Sequence, residues 1–432
     1  MAGLMAGDRR LAVLALALLL VAACSASSST PSGRSDEATT PSAPSVSVAP
    51  APQAPAPEAE LIRIRPSHAP WTRGIDVVVG GADVSVAVGA GTRIRFLHLG
   101  DERRIPASTQ KLLTSMAALE TWGPSFRFPT TAVVRKEPRN GVVAGDLFVV
   151  GSGDPELDAA AMSRLAERIR VGGVRRIEGA VVGDTGAFTR EWWAPGWVPG
   201  LSRSFVNRTT ALAFEGNGGP GAPELAAAAA LNTALEATGI GVGDEPETGE
   251  LPSRGVEVAA IRSAPLSQLL ATQNHGSVNF YAETLLKAIG ADATGEAGST
   301  ATGAQAVQGW AADRRVRAQV RDGSGLSYEN RVSVEGLVTL LLLAARAPWG
   351  EALASSLPGP GEGTIGQRLT GLPVRAKTGT LFEVPVSSLA GYVTDGGGDT
   401  VAFAVISRGI DKSSASRIED EIVRVLAGAH VA

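Results

Sequence analysis

Cysteine occurs once in 432 residues, at Cys24. An intramolecular disulfide and a cysteine-based zinc cluster are therefore both excluded. Histidine is also scarce: His68, His98, His275 and His430 are scattered without metal-ligand spacing, so no metal or other cofactor is expected. Neither sign of charge dominates, with 39 Lys and Arg against 43 Asp and Glu. That balance lacks the electrostatic footprint of a nucleic-acid binder. Long apolar runs are missing beyond the N-terminal region. Residues 332–347 are strongly apolar but interrupted by Glu335 and Gly336, and they read as a buried helix rather than a membrane span. A G-x-S-x-G elbow is absent too, since Gly323-Ser324-Gly325 follows Asp322. This argues against a Ser-His-Asp hydrolase.

What is present begins with an export signal. Arg9 and Arg10 precede an apolar stretch over 11–21, and the segment ends in Val21-Ala22-Ala23-Cys24. Residues 1–23 read as a signal peptide. The Cys24 context resembles a lipobox, which implies lipidation of Cys24 and attachment to the cell membrane after export. Residues 24–60 are rich in Ser, Pro, Ala and Thr and read as a disordered tether.

The rest of the chain is organised around Pro106-Ala107-Ser108-Thr109-Gln110-Lys111. Ser108 and Lys111 are spaced to share one helix face. A lysine whose charge is disfavoured by burial can take the proton of a serine. Backbone N–H groups at the helix start favour the negative charge of a tetrahedral intermediate. Ser277-Val278-Asn279 and Lys377-Thr378-Gly379-Thr380 follow. S-x-x-K, S-x-N and K-T-G in this order form the signature set of penicillin-binding proteins and serine β-lactamases.

Local patterns place these motifs. Strands are expected at 75–79, 84–88 and 93–97, leading into the Ser108 helix. A strand at 130–135, a helix at 158–170, a strand around 174–184 and an alanine-rich helix at 222–239 suggest an α/β insertion. A helix at 267–272 should break at Asn274-His275-Gly276, and another should follow over 280–289. Strands at 374–377, 389–393 and 401–406 and a helix at 416–426 close the chain. The expected domains are a transpeptidase-like part at 61–135, an inserted domain at 136–260 and a second transpeptidase-like part at 261–432.

Together with Gly151-Ser152-Gly153-Asp154-Pro155, Asp322-Gly323-Ser324-Gly325-Leu326-Ser327 and Tyr281-Ala282-Glu283-Thr284-Leu285-Leu286-Lys287, these motifs resemble the D-alanyl-D-alanine carboxypeptidase/endopeptidase family, the class C low-molecular-mass penicillin-binding proteins. The likeness covers roughly residues 74–425. It implies an α/β fold, with a penicillin-binding protein/serine β-lactamase-like transpeptidase domain (an antiparallel sheet flanked by helices) carrying a smaller α/β insertion. It implies Ser108 as nucleophile, Lys111 as its base, Ser277 as proton relay to the leaving D-alanine and Asn279 as a substrate-amide contact. It also implies Lys377, Thr378, Gly379 and Thr380 as binders of the terminal carboxylate, the backbone N–H groups of Ser108 and Thr380 as oxyanion hole, and Asp184 as a contact for the amino end of the stem-peptide side chain. The implied partners are peptidoglycan stem peptides and β-lactams. The stretch from Asp184 to Ser277 is short for the family's larger members, which implies a reduced third domain and leaves DD-endopeptidase activity open.

Two rivals stand beside this reading. One is a non-catalytic peptidoglycan-binding or scaffolding envelope protein. The other is a serine β-lactamase, disfavoured because no Glu-x-x-Leu-Asn pattern follows Ser277. Glu283 reads as a helix-face residue, His275 as a polar loop residue, and Trp192, Trp193 and Trp197 as a packing cluster.

Overall fold

The computed structural model describes residues 62–432 apart from Leu201, Ser253 and Arg254. The expected signal peptide, Cys24 and the tether lie outside the described residues. Among the described residues no helix is long and apolar enough to cross a membrane.

The chain enters through a short strand β1 (Arg63–Ile64) and helix α1 (Pro70–Val79). The run Ile75-Asp76-Val77-Val78-Val79 is therefore helical, not the expected strand. Pro70 suits a first helical position, and Trp71, Thr72, Ile75 and Val79 bury one helical face. Tertiary burial at that spacing outweighs the β preference of the valines. Strands β2 (Val84–Ala90) and β3 (Arg93–His98) follow, then α2 (Gln110–Trp122), entered through the 3₁₀ turn Ala107–Thr109.

The next stretch builds a second sheet: β4 (Pro129–Val134), β5 (Leu147–Gly151), helix α3 (Ala159–Val171), β6 (Val181–Asp184), helix α4 (Pro223–Ala237), β7 (Glu247–Gly249) and β8 (Val256–Arg262). Their order is β7-β6-β5-β4-β8. This places β4 in the second sheet, so its start at Pro129 precedes the boundary drawn at residue 135. Helices α3 and α4 cover one face through Met162, Leu165, Ile169, Leu231 and Leu235.

The chain then returns with α5 (Leu266–Gly276), α6 (Asn279–Thr294), α7 (Thr300–Asp313), α8 (Val334–Ala344) and α9 (Gly350–Ser356). It ends in β9 (Val374–Leu381), β10 (Val386–Thr394), β11 (Thr400–Arg408) and α10 (Lys412–Ala427). The principal sheet has the order β1-β3-β2-β11-β10-β9. It is antiparallel except for the β1/β3 edge.

Alternation along the central strands makes three layers. Ala402, Ala404 and Ile406 of β11 face the core that holds α2, α6 and α8. Val401, Phe403 and Val405 face α1 and α10 through Ile75, Ile422 and Leu426. Strand β9, with the third motif, is the sheet's outer edge beside the start of α2. Sequence from both ends of the chain thus meets in one sheet, and the second sheet is looped out between them.

Candidate active site

The turn carrying Ser108 is fixed from three sides. Its leading carbonyl, Pro106 O, accepts from Ser388 Oγ on β10 and from Thr109 Oγ1, both at 2.7 Å. Ala107 is fully buried with φ of 49°, a left-handed backbone that costs energy in a residue with a Cβ. Gly325 packs directly on the Ala107 carbonyl with φ of 87°, where any side chain would collide. On the third side lies Gly379 of β9. A Cβ at this position would stand 2.8 Å from Ser108 N and collide with Ser388 Oγ, so only glycine lets the strand pass this close. Ser108 is half-buried between buried neighbours on this fixed turn.

Lys111 follows within the first turn of α2 and has no solvent exposure. Its Nζ donates to Ser108 Oγ at 3.2 Å, Asn279 Oδ1 at 2.6 Å and the Ser324 carbonyl at 2.7 Å. All three donors of the ammonium have acceptors, and none of these acceptors is a carboxylate. Burial lowers the Lys111 pKa to about 7, against the opposing pull of Asp322 and then Glu283. Such a lysine is substantially neutral at physiological pH and within reach of the serine proton.

Asn279 opens α6, and its amide is oriented by two partners: Oδ1 accepts from Lys111, and Nδ2 donates to the Phe205 carbonyl at 3.2 Å. Ser277 sits between α5 and α6 with φ of 52°. Helix α5 runs on to Gly276 instead of breaking at Asn274. Asn274 donates to Ser356 Oγ at 2.9 Å, and Gln273 donates to Ser115 Oγ of α2 at 2.9 Å. These buried bonds secure the last turn of α5 against the nucleophile's helix. His275 consequently lies in a helix, not a loop. Its carbonyl accepts from Thr364 N at 3.0 Å, and Thr364 Oγ1 accepts from Thr378 Oγ1 at 2.7 Å. The end of α5, two residues before the second motif, is joined to the third motif through Thr364, whose sequence context carried no signal.

Lys377 projects from β9 with no solvent exposure. Its Nζ donates to the Thr378 carbonyl at 2.9 Å. Burial first, and then the neighbouring charges of Lys111 and Lys412, hold its pKa well below the usual lysine range. A desolvated amine among other amines favours an arriving anion.

The turn over residues 322–327 closes the site. Asp322 is buried and accepts from Gly325 N at 2.9 Å, Ser327 N at 2.7 Å, Asn330 Nδ2 at 2.7 Å and Trp197 Nε1 at 2.7 Å. Trp197 belongs to the long inserted stretch, so it seats that stretch on the catalytic turn. It is a structural contact of the site, not only a packing residue. Glu283, read from sequence as a helix-face residue, is 3% exposed and accepts from Gly323 N and Ser324 N at 3.1 and 2.8 Å. Burial, and then Asp322, raise its pKa to about 7. One turn further along α6, Lys287 donates to the carbonyls of Thr189, Glu191 and Thr209. Asn279, Glu283 and Lys287 recur every four residues, so one face of α6 carries all three. The motif spacing marked the first of these; the other two lie in a stretch that shares the family resemblance, which gave them no role.

Asp184 ends β6. Its carboxylate is nearly buried and accepts from Gly186 N at 3.2 Å and Leu251 N at 2.9 Å. It holds a turn in the second sheet. No group of three or more metal-ligating side chains occurs among the described residues.

A serine and a buried lysine on one helix turn, an Asn from a second helix and a Lys from the edge strand of an antiparallel sheet define a serine acyl-transfer site of the penicillin-binding type. The chain belongs to the D-Ala-D-Ala carboxypeptidase 3 (S13) family, matched over residues 82–217 and 221–429. It is 28% identical over 422 residues to a D-alanyl-D-alanine carboxypeptidase from Actinomadura sp. (strain R39), covering 76% of this chain and 78% of that protein. It is 30% identical over 387 residues to Carboxypeptidase Rv3627c from Mycobacterium tuberculosis, covering 79% and 80%. Among solved structures, penicillin binding protein 4 (dacB) from Haemophilus influenzae superposes with a TM-score of 0.70 at 23% identity, over 82% of this chain and 99% of that one. That last likeness is one of fold.

Proposed function

We infer that the protein is a serine-type D-Ala-D-Ala carboxypeptidase that acts on peptidoglycan stem peptides outside the cytoplasm. The observation that carries the mechanism is the contact of a fully buried Lys111 with Ser108 Oγ at 3.2 Å. Ser108 Oγ attacks the carbonyl of the penultimate D-alanine, and neutral Lys111 takes its proton. The oxyanion then points at the backbone N–H groups of Ser108 and Thr380. The closeness of Gly379 to Ser108 N supports this placement. Each such donor contributes about 10²–10³ in rate.

The extended peptide lies along the free edge of β9, gaining strand-like pairing. Its terminal carboxylate meets Lys377 with the Thr378 and Thr380 hydroxyls, at Gly379, and Asn279 holds the substrate amide. Ser277 passes a proton to the leaving D-alanine. Water then hydrolyses the ester on Ser108 by the same path in reverse. A β-lactam forms the same acyl bond.

Asp184 has two backbone donors on its carboxylate, which supports a turn-holding role. Its contact with the stem-peptide amine is tested by comparing KM for peptides with and without that amine in Asp184→Asn. Attachment through a lipidated Cys24 is tested by following membrane association in Cys24→Ala. Endopeptidase action is tested by release of monomers from cross-linked dimeric muropeptides.

The deciding experiment labels the full chain and its Ser108→Ala variant with a fluorescent penicillin, and assays D-alanine release. Labelling and release by the parent alone are expected. A folded parent that neither labels nor releases D-alanine overturns the reading in favour of a wall-binding protein. Rapid loss of the label with turnover of penicillin would instead favour a β-lactamase.

A further inference from the structure

Glu283 makes its hydrogen bonds to the backbone of Gly323 and Ser324 rather than to Ser108, yet it is buried beside Lys111. Its Oε1 takes both the Gly323 and the Ser324 N–H groups. The Ser324 carbonyl, in the same residue, takes a proton donor of Lys111. One residue of backbone thus spans the carboxylate and the amine. The turn has little freedom to move elsewhere. Thr114 Oγ1 donates to the Gly323 carbonyl at 2.9 Å, Gly323 packs on the Ala282 carbonyl, and Asp322 gathers Gly325 N and Ser327 N.

Two N–H groups on one oxygen need only an amide oxygen, so a glutamine would keep both backbone bonds that hold this turn. A buried carboxylate beside a second one is the costlier choice unless its charge is used. Lys111 is the group placed to use it. The charged groups facing that amine are Asp322 from the turn, Glu283 from α6 and Lys377 from β9, while Lys287 of α6 faces Glu283 itself.

We propose that Glu283 is a positioning residue for the nucleophile's base: it holds the Gly323 and Ser324 backbone that receives Lys111, and it is a counter-charge to the ammonium that Lys111 becomes when Ser108 gives up its proton. This rests on the acyl-transfer reading of the site. The same charge has two consequences. It makes Lys111 a stronger base, and it stabilises the ammonium as the acyl bond forms. Because Glu283 and Lys111 titrate in the same pH range, loss of a proton from either one opposes loss of a proton from the other, and the pair titrates over a wider span than one group would.

The test is the acylation rate of the full chain by a fluorescent penicillin from pH 5 to 9, for the parent, Glu283→Gln and Glu283→Asp. The parent's acid limb should be broader than a single ionisation. Glu283→Gln keeps the acceptor and loses the charge. Its limb should narrow and move down by about half a pH unit or more, so that labelling at low pH rises about threefold relative to its own plateau, while the plateau itself falls about tenfold. Glu283→Asp should return the limb to the parent's position. A Glu283→Gln limb that coincides with the parent's in midpoint and width overturns the proposal. If that variant does not fold, the parent decides: a limb of one simple ionisation overturns the proposal as well. A parent that does not label removes the acyl-transfer reading and this proposal with it, whereas a labelling parent with an unmoved variant removes only the role of Glu283.

Discussion

Lys111 Nζ lies 2.6 Å from Asn279 Oδ1, a contact between two helices whose residues stand 168 positions apart in the chain. The Asn279 amide cannot turn over without facing its NH₂ to the ammonium, because Nδ2 is committed to the Phe205 carbonyl. Asn279→Asp would replace that neutral oxygen with a charged one in a dry site. The added carboxylate should raise the Lys111 pKa by about one unit or more. Penicillin acylation at pH 7 should therefore fall about tenfold or more and recover partly at pH 9. A profile that keeps the parent's midpoint would mean that Asn279 does not set the charge of Lys111.

The lowered pKa of Lys111 fixes the sign of two pH dependences. Acylation needs the neutral amine, so its rate should climb with pH through about 7. Lys111→Ala should lose about 10²–10⁴ in acylation at every pH. For stability, the unfolded lysine holds its proton up to its ordinary value of 10.5, whereas the folded one loses it near 7. Between those values the unfolded state binds more protons, so this residue makes stability rise with pH. Glu283 acts the other way below 7, because there its folded form binds more protons than its unfolded form. Denaturant unfolding at pH 7 and 9 should show the Lys111 contribution in the parent and lose it in Lys111→Ala.

Lys377 combines a functional gain with a folding cost. It is fully buried, and its amine donates only to the Thr378 carbonyl among the described contacts. Replacing a buried, weakly paired amine with an apolar side chain of similar volume is commonly stabilising by about 1–4 kcal/mol. Lys377→Met should accordingly raise the melting temperature. The same variant should raise KM for D-Ala-D-Ala peptides by about tenfold or more, because the carboxylate loses its cation. Unchanged KM would remove Lys377 from carboxylate recognition.

The residue types at the reaction centre were legible in the chain because their chemistry demands fixed spacing: Ser108 with Lys111 on one turn, and Lys377 through Thr380 along one strand. The family resemblance assigned their roles, and the membership found over most of the chain agrees with it. The residues that hold them were not legible. Ser388 and Thr364 act across tertiary contacts, and an isolated Ser or Thr carries no mark of what will pack against it; Glu283 stood in a stretch that shares the family resemblance, but its spacing along the helix did not show what it would hold. The misread elements share one cause. Ile75 to Val79 looks like a strand by composition, but the buried positions follow a helical period that only the neighbouring α10 makes visible. Asn274 looks like a helix breaker, but its side chain is spent on Ser356 and Ser115 and leaves the backbone free to continue the helix.

Trp197 offers a way to ask how the inserted stretch serves the catalytic turn. Its indole N–H meets Asp322 Oδ2 at 2.7 Å in a buried setting, while its ring packs edge-on against Trp193. Nearby, Ser327 Oγ donates to the Pro195 carbonyl and Tyr328 N to the Gly196 carbonyl, so the stretch and the turn are joined at three adjacent points. Trp197→Phe keeps most of the apolar contact and deletes one hydrogen bond to a charged acceptor. The expected loss of stability is about 1–3 kcal/mol. Asp322 keeps its other donors, Gly325 N, Ser327 N, Asn330 Nδ2 and the longer contact from Ser324 Oγ, so the fold should survive. Its charge would be less satisfied, however, and the turn that receives Lys111 through the Ser324 carbonyl would be less firmly held. Acylation by penicillin should slow by about tenfold, measured beside the melting temperature of the same variant. A drop in melting temperature with no change in acylation would show that the insertion stabilises the protein without tuning its base.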